Sequence, residues 1–323
     1  MAMSGTRYVC SVDIGGTKVA SALVRYDGGD TRPEVVGNTE VPTEAALGGG
    51  HVVSQVEAAI AAMLDAAPAT VSGIGIGSAG VVDYRHGRIA YANDIMPGWG
   101  GTELGPIVSE RFGLPVTVMG DVHAHALGEA RWGVGRGCES ILCLGIGTGV
   151  GGAYVENGHV LRGFHGAAGH LGHIECSAAA GMPCACGRTG HLESIVSGTS
   201  IGRAFESLYG RIDPDRPVVG RDVNDLVLAG DERAIKIVHN AGVALGRSLG
   251  SLANAFDPEL IVLSGGVIHQ GTEWRSEAWR TSVAEGYASM ALDPLQKTDI
   301  VIGRLEGLAP LIGAAEDLLD SLK

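Results

Sequence analysis

The chain has 323 residues and a formal net charge of −13, an acidic balance that disfavours binding to a phosphate backbone. Apolar residues make up 45% of the sequence and charged residues 18%, which is typical of a globular protein with about two domains and not of a disordered chain. No apolar run is long enough to cross a bilayer, and the first nine residues lack the features of a signal peptide. The sequence therefore predicts a cytoplasmic protein without a membrane or nucleic-acid partner.

Strands and helices alternate along the predicted structure. The first half is predicted to contain strands at 7–13 and 19–26 around a glycine turn, a helix at 51–66, a strand at 71–78, a hairpin at 81–92, a helix at 102–112 and a strand at 115–121 that leads into another helix. The second half is predicted to contain a strand–turn–strand unit over 139–158, a long helix at 231–256, strands at 259–266 and 298–303, and a closing helix. Such alternation predicts an α/β fold with a largely parallel sheet.

Two segments of the chain repeat one pattern. CSVDIGGTKVASALVRYDG begins at Cys10 and CLGIGTGVGGAYVENG begins at Cys143. Both run from an apolar strand through a Gly/Thr turn into a second apolar strand. This internal similarity suggests two related halves, each of which opens with a glycine hairpin.

Three glycine turns follow apolar strands and are candidates for a nucleotide site. They are Asp13-Ile14-Gly15-Gly16-Thr17-Lys18, Gly145-Ile146-Gly147-Thr148-Gly149 and Ser264-Gly265-Gly266. Glycine lets backbone N–H groups approach phosphate oxygens, and Thr17 adds a hydroxyl donor. The first turn alone fits an ordinary hairpin equally well, but three turns at strand ends favour one nucleotide site. Asp13, at the end of its strand, is a candidate to hold a hydrated Mg²⁺.

Asp121 stands where the strand PVTVMG ends and a helix begins. A carboxylate at this place can accept a proton from a substrate hydroxyl. Aspartate is also a common N-cap of helices, and the residues alone favour this capping interpretation.

The stretch GHLGHIECSAAAGMPCACGRTGHLES, residues 169–194, groups histidines and cysteines. Two imidazoles and two thiols, from His173, Cys184, Cys186 and His191, form a ligand set suited to tetrahedral Zn²⁺. The alternative is a polar loop with reduced thiols, but a glycine-rich loop of this length needs a reason to be ordered. His170 lies outside the set and is a candidate to face a substrate, and Cys176 is predicted to be structural.

Other histidines and tryptophans receive structural interpretations. His123 and His125 are two residues apart on a helix, so they face different directions and are predicted to be surface or core residues. Trp99 and Trp132 are predicted to pack in the interior.

The motifs DIGGTK, GIGTGVGG, GHLGH followed by CACGRTGHLE, and LSGG occur in an order that resembles the ROK family of sugar kinases and related repressors. The resemblance implies an actin-like ATPase (ribonuclease H-like) fold, with two α/β domains around a central cleft. It places the N-terminal domain at residues 1–120, completed by the C-terminal helix at about 305–323. The larger C-terminal domain, with the zinc loop, would comprise residues 121–304.

The resemblance also implies roles for individual residues, and it reverses the preference for a cap at Asp121. Asp121 would be the catalytic base and a sugar contact. Further sugar contacts would come from Glu193, His170, His173 and Asn93, with His173 also binding the structural Zn²⁺. ATP and Mg²⁺ would be bound through Asp13, Gly15, Gly16, Thr17, Lys18, Gly147, Thr148, Gly149, Gly265 and Gly266. Family members are often dimers or tetramers, which predicts a homodimer or homotetramer.

Departures from the family pattern bear on the substrate. Gly120 replaces an asparagine that contacts the sugar, and His191 replaces a cysteine of the zinc loop. His170 replaces a glutamate, as in bacterial N-acetylmannosamine kinases.

The expected activity is therefore ATP-dependent transfer of the γ-phosphoryl group to the 6-hydroxyl of a hexose or N-acylhexosamine, with N-acetylmannosamine first. A glucokinase acting on glucose or mannose and a catalytically weak sugar sensor are the alternatives. A repressor is disfavoured because only twelve residues precede Asp13.

Overall fold

The computed structural model describes residues 5–94 and 96–323. The chain divides into two compact units. One comprises the chain up to Gly137 together with 158–168 and 307–323, and the other comprises 138–157 and 169–306. The sequence-based division placed the helix that begins at Asp121 in the second domain, whereas contacts in the structure group it with the first unit.

The first unit alternates strands and helices along the chain. Its strands are β1 (Arg7–Ile14), β2 (Lys18–Tyr26), β3 (Glu34–Pro42), β4 (Val71–Ser78), β5 (Val81–Asp83), β6 (Arg88–Tyr91) and β7 (Val116–Gly120). Its first three helices are α1 (Gly49–Asp65), α2 (Leu104–Phe112) and α3 (Asp121–Trp132).

The main sheet of the first unit has the order β3-β2-β1-β4-β7. β1 and β2 form an antiparallel hairpin with Ile14 opposite Val19, whereas β1, β4 and β7 are parallel. β5 and β6 form a separate antiparallel pair. Because the carboxyl ends of parallel strands meet at one edge, the residues that end β1, β4 and β7 are neighbours.

The second unit repeats this arrangement. Its strands and helices are β8 (Ser140–Ile146), β9 (Val150–Glu156), α4 (Glu193–Val196), α5 (Gly198–Tyr209), α6 (Gly220–Leu228), α7 (Glu232–Phe256), β11 (Leu260–Ser264), β12 (His269–Gln270), β13 (Glu273–Trp274), α8 (Glu277–Ala288) and β14 (Asp299–Ile302). The two-residue strand β10 (His159–Val160) follows β9 in the chain and lies in segment 158–168 of the first unit. β8 and β9 form the opening antiparallel hairpin, and β8, β11 and β14 are parallel in the order β8-β11-β14. The two glycine hairpins that the sequence suggested therefore open two sheets of matching layout.

The chain ends in α9 (Ala309–Ser321), which belongs to the first unit. Its residues from Ala309 to Leu318 are all buried, so this helix is covered nearly all around. Two charged residues within it are paired: Glu316 accepts from Arg131 at 2.8 Å and from Trp132 Nε1 at 2.8 Å, and Asp317 pairs with Arg162. The pairing supplies partners for a carboxylate that burial would otherwise penalise.

In the second unit, α7 and α8 pack at close range. Gly242, Gly246 and Gly250 recur every fourth residue on α7, so they lie on one face. A Cβ at Gly246 would lie 2.1 Å from the backbone oxygen of Val283 on α8. Glycine is therefore required there by the distance between the two helices.

Several elements were not predicted from the sequence, namely β3, α4, α5, α6, α8 and the short strands β10, β12 and β13. β3 alternates exposed and half-buried residues along its length, as expected of an edge strand. Trp99 is fully buried, in agreement with its predicted packing role. Among the helices of residues 5–94 and 96–323, none has both the length and the apolar composition that a membrane crossing requires.

Candidate active site and metal centre

Two carboxylates flank a glycine at the carboxyl edge of the first sheet. Asp13 in β1 pairs with Gly77 in β4, and Asp121 follows β7 directly. A Cβ at Gly77 would lie 3.5 Å from Oδ1 of Asp13 and 3.6 Å from Cα of Asp121. The sheet register thus brings together two aspartates that are far apart in sequence, on either side of a residue without a side chain.

Asp13 is the more unusual of the two carboxylates. Its Oδ1 is buried and has no hydrogen-bond partner. Burial, and to a smaller extent the negative charge of Asp121, together raise the pKa of Asp13 from 3.8 to about 7. A buried carboxylate oxygen without a partner is the type of ligand that Mg²⁺ prefers, so the geometry fits the Mg²⁺ role expected for Asp13.

Asp121 is the first residue of α3, and the N-cap of this helix is Gly120. The carboxylate accepts a hydrogen bond from the N–H of the next residue, Val122, at 2.8 Å. The capping interpretation therefore does not describe Asp121, because the cap position belongs to the preceding glycine.

The first glycine turn joins β1 to β2. Gly15 donates to the carbonyl of Lys18 at 2.9 Å, while Gly16 and Thr17 are exposed. Thr43 supports the turn from β3's end, since its hydroxyl donates to the carbonyl of Gly15 at 2.7 Å. Lys18, a predicted nucleotide ligand, forms an exposed ion pair with Glu40.

The second and third glycine turns lie in the second unit. Gly147 donates to the carbonyl of Gly149 at 2.9 Å, and its own carbonyl accepts from the N–H of Gly198 at 2.8 Å. Thr199 adds a hydroxyl bond to the carbonyl of Thr148 at 2.9 Å.

The third turn approaches the second closely. Gly265 has a φ of +96°, and a Cβ there would lie 2.2 Å from the carbonyl oxygen of Ile146. The guanidinium of Arg275 donates to the carbonyl of the next glycine, Gly266, at 3.1 Å. The two predicted nucleotide turns of this unit are therefore neighbours in space.

Glu193, a predicted sugar contact, lies against the second glycine turn. Its Oε2 accepts from the N–H of Val150 at 2.9 Å. A Cβ at Gly149 would lie 2.6 Å from the same oxygen. Its Oε1 lies 3.5 Å from the Cys184 thiol, which donates to it. The carboxylate is thus held between the turn and the His/Cys loop.

The four predicted zinc ligands form one cluster. The ligand atoms of His173, Cys184, Cys186 and His191 all lie within 4.8 Å of one another. Two pairs are closer: Cys184 Sγ is 3.4 Å from His173 Nδ1, and Cys186 Sγ is 3.2 Å from His191 Nδ1. Zn–S and Zn–N bonds of about 2.3 and 2.0 Å place tetrahedral ligands about 3.5 Å apart, so the donor set fits a zinc ion.

Burial shifts the pKa values of two residues in the metal cluster. It lowers the pKa of His173, which favours the neutral imidazole, the form that binds metals. It raises the pKa of the Cys184 thiol to about 11. Cys176 is buried outside this cluster, as its structural interpretation requires.

The remaining predicted sugar contacts lie in two places. The rings of His170 and His173 are parallel within 24°, with centroids 6.2 Å apart, so His170 adjoins the metal cluster. Asn93 follows β6, and its carbonyl accepts from the N–H of Met96 at 3.1 Å.

Sequence reasoning missed some residues that support these turns, above all Thr43, Gly198 and Thr199. The signal available for the last two was the S-G-T sequence at 197–199. Ser197 is the N-cap of α5 and accepts from the N–H of Ser200 at 3.1 Å, a pattern that marks a helix start.

Comparison with known proteins gives a consistent result. A glucokinase of Halalkalibacterium halodurans is 35% identical over 277 residues, covering 82% of each chain. An N-acetylmannosamine kinase of Yersinia pseudotuberculosis is 31% identical over 258 residues, covering 80% of this chain and 82% of the other. The crystal structure of a ROK family glucokinase from Streptomyces griseus, in complex with glucose and AMPPNP, is 27% identical and superposes with a TM-score of 0.79 over 96% of this chain and 98% of that one.

The fold is the actin-like ATPase fold of these kinases, as the sequence resemblance implied. The model of the ROK family matches residues 9–319, nearly the whole chain. The motifs, the fold and the relatives agree, and the chain belongs to the ROK family.

Proposed function

We propose that this protein is an ATP-dependent sugar kinase that transfers the γ-phosphoryl group to the 6-hydroxyl of a hexose or an N-acylhexosamine. The observation that carries the proposal is the Asp13–Gly77–Asp121 arrangement, where one carboxylate is suited to a cation and the other begins a helix beside it. Relatives named glucokinase and N-acetylmannosamine kinase support the same reaction class.

Asp121 is the general base in this proposal. Its carboxylate removes the proton from the sugar hydroxyl as the oxygen attacks the phosphorus, and the leaving group is ADP. Base catalysis of this kind contributes about 10²–10⁴ in rate. The bond from the Val122 N–H holds one carboxylate oxygen in place, which fixes the direction in which the proton is taken.

Asp13 is assigned to the cation that accompanies the nucleotide. When bound, Mg²⁺ neutralises charge on the phosphate oxygens. The raised pKa of Asp13 reflects burial of a negative group next to a second one, and a cation held by Asp13 would offset that repulsion. The glycine turns at Gly15–Thr17, Gly147–Gly149 and Gly265–Gly266 are assigned to the phosphates and the rest of ATP.

Glu193, His170 and His173 are assigned to the sugar. Glu193 is a fixed acceptor for sugar hydroxyls, because one oxygen is already bonded to a backbone amide. A zinc ion held by His173, Cys184, Cys186 and His191 would order the loop that carries these residues, and it would take no part in phosphoryl transfer. Asn93 remains a proposed contact.

The sugar itself has two candidates. His170 offers an imidazole where a carboxylate would bind hydroxyls, and this favours an acetamide group and hence N-acetylmannosamine. The 35% identity to a glucokinase supports glucose equally.

An assay of ADP release decides between the sugars. The protein is incubated with Mg-ATP and glucose, mannose, N-acetylglucosamine or N-acetylmannosamine, with Asp121→Asn as the inactive control. We expect turnover of at least one sugar and loss of turnover in the variant with sugar binding retained. An active Asp121→Asn variant would remove Asp121 from the base role.

Absence of ADP release with all four sugars, while a sugar still binds, would favour the sugar-sensor alternative. The proposed homodimer or homotetramer is tested separately, by the molar mass of the purified protein in light scattering. A monomer would contradict the proposed assembly without affecting the kinase assignment.

A further inference from the structure

Gly120 stands between β7 and α3, immediately before Asp121. Its backbone is extended, with φ −64° and ψ 143°, a conformation that any L-residue adopts without strain. The backbone therefore does not require glycine at this position. The space beside it is restricted, because a Cβ at Gly120 would lie 3.1 Å from Nδ1 and 3.5 Å from Cγ of His123, and the ring would have to shift by a few tenths of an ångström to admit it.

His123 is not free to move away from such a side chain. It is 4% exposed, and its Nε2 lies 2.7 Å from the carbonyl oxygen of Ala168. A carbonyl only accepts, so Nε2 carries the hydrogen and donates. Moving the ring would break this bond and take from the buried imidazole N–H its bond to the half-buried carbonyl of Ala168, which is costly.

The hydrogen bond joins two segments of the first unit. His123 lies in the first turn of α3, two residues after Asp121. Ala168 ends segment 158–168 and stands two residues before His170 in the sequence. The imidazole therefore ties the helix start that carries Asp121 to the chain that leads into the GHLGH motif.

We propose that His123 is a positioning residue for Asp121, and that Gly120 is glycine because the tethered imidazole occupies the adjacent space. The inference rests on the proposed kinase function for its catalytic consequence. Its structural part, the coupling of residue 120 to residue 123, stands on the distances alone.

The test is a double-substitution cycle in this protein, with Gly120→Ala, His123→Ala and the pair together. Gly120→Ala adds only the Cβ that would meet the imidazole. We expect it to lower kcat by on the order of tenfold, since small displacements of a catalytic group are costly. In the His123→Ala background the same change should cost little, because the obstructing ring is gone.

A second variant separates positioning from folding. His123→Gln places an amide N–H within reach of the Ala168 carbonyl, and we expect it to recover most of the kcat lost in His123→Ala. In His123→Ala and His123→Gln the sugar KM should change less than kcat, and calorimetry should show one sugar bound per chain. A residue with a purely structural role would lower the bound fraction instead, and that result would overturn the positioning role.

His125→Ala is the matched control, since it removes a histidine from the same helix, while the three atoms nearest to a Cβ at Gly120 all belong to His123. Its effect should add to that of Gly120→Ala, as expected for uncoupled sites. Additive effects of Gly120→Ala and His123→Ala would overturn the proposed pair.

The midpoint of urea unfolding is measured for the wild type, Gly120→Ala, His123→Ala and the double variant. These midpoints test the coupling of residues 120 and 123 even if no sugar is turned over. If the stability changes of the two substitutions are not additive and the wild type is inactive, the coupling of Gly120 to His123 is supported and the kinase proposal is contradicted. Additive stability with an active wild type would do the reverse.

Discussion

Glu193 and Val150 are joined by a hydrogen bond of 2.9 Å, in which the backbone N–H at the start of β9 donates to Oε2 of the carboxylate. The contact links the His/Cys loop to the glycine turn between β8 and β9. It is possible only because residue 149 has no side chain, since a Cβ there would lie 2.6 Å from the same oxygen. Gly149 thus leaves the space that the Glu193 carboxylate occupies, in addition to its expected role in binding the nucleotide.

Gly149→Ala is therefore expected to displace the Glu193 carboxylate. A sugar hydroxyl that donates to Glu193 would lose a hydrogen bond to a charged group, worth about 1.5–3 kcal/mol, so the sugar dissociation constant should rise about ten- to a hundredfold. Calorimetry without nucleotide measures this directly. Gly145→Ala is the control, because nothing lies within 4 Å of a Cβ at that position. Unchanged sugar affinity in Gly149→Ala would contradict the role of Glu193.

Asp13 should make the metal-free protein less stable as the pH rises. The pKa of its carboxyl is raised from 3.8 to about 7 in the fold, so the folded state holds a proton that the unfolded state has released. The stabilising contribution is complete below pH 4 and is lost as the pH rises to about 7.

Asp13→Asn removes this dependence while keeping the shape of the side chain. At pH 8 without Mg²⁺ the variant should melt at least about 3 °C above the wild type, and the difference should vanish near pH 4. Mg-ATP should stabilise only the wild type. Equal melting temperatures of the wild type and Asp13→Asn at pH 8 would show that the buried charge of Asp13 does not destabilise the fold.

The metal cluster predicts one zinc ion per chain. Cys186→Ala should reduce the zinc content, measured by mass spectrometry of the metal, because three ligands remain of four. Sugar binding should weaken with it, since His173 belongs to the cluster and adjoins His170. Cys176→Ala, outside the cluster, should retain the metal. Purification of wild-type protein without zinc, with the loop still ordered, would refute the ligand set.

The contact between α7 and α8 should tolerate no side chain at Gly246. Gly246→Ala places a methyl group 2.1 Å from a backbone oxygen, and overpacking of this kind costs about 1–3 kcal/mol. Gly50→Ala on α1 is the helical control, since nothing lies within 4 Å of a Cβ there, and it should be neutral or stabilising by up to about 1 kcal/mol. Urea unfolding measures both. A neutral Gly246→Ala would mean that the helices separate at little cost.

The sequence by itself determined what is encoded locally. The two glycine hairpins, the buried strands and the long helix over 232–256 follow from apolar periodicity and turn residues, which act over a few neighbouring positions. The candidate zinc ligands could also be identified, because all four lie within nineteen residues of one loop. The order of these motifs was enough to indicate the family, which the comparison confirms.

Tertiary structure alone decided the contacts between distant segments. The closeness of Asp13 to Asp121 depends on the parallel register of β1, β4 and β7, which periodicity does not specify. The capping interpretation of Asp121 failed because the strand ends one residue earlier, at Gly120.

The fit of Glu193 to Gly149 and of His123 to Gly120 is likewise invisible in the sequence. A glycine that leaves room for a side chain and a glycine that permits a turn look the same until packing distances distinguish them. Local preferences act along the chain, whereas these distances arise only when strands and helices pack, and for this reason the site could be named but not assembled from the sequence.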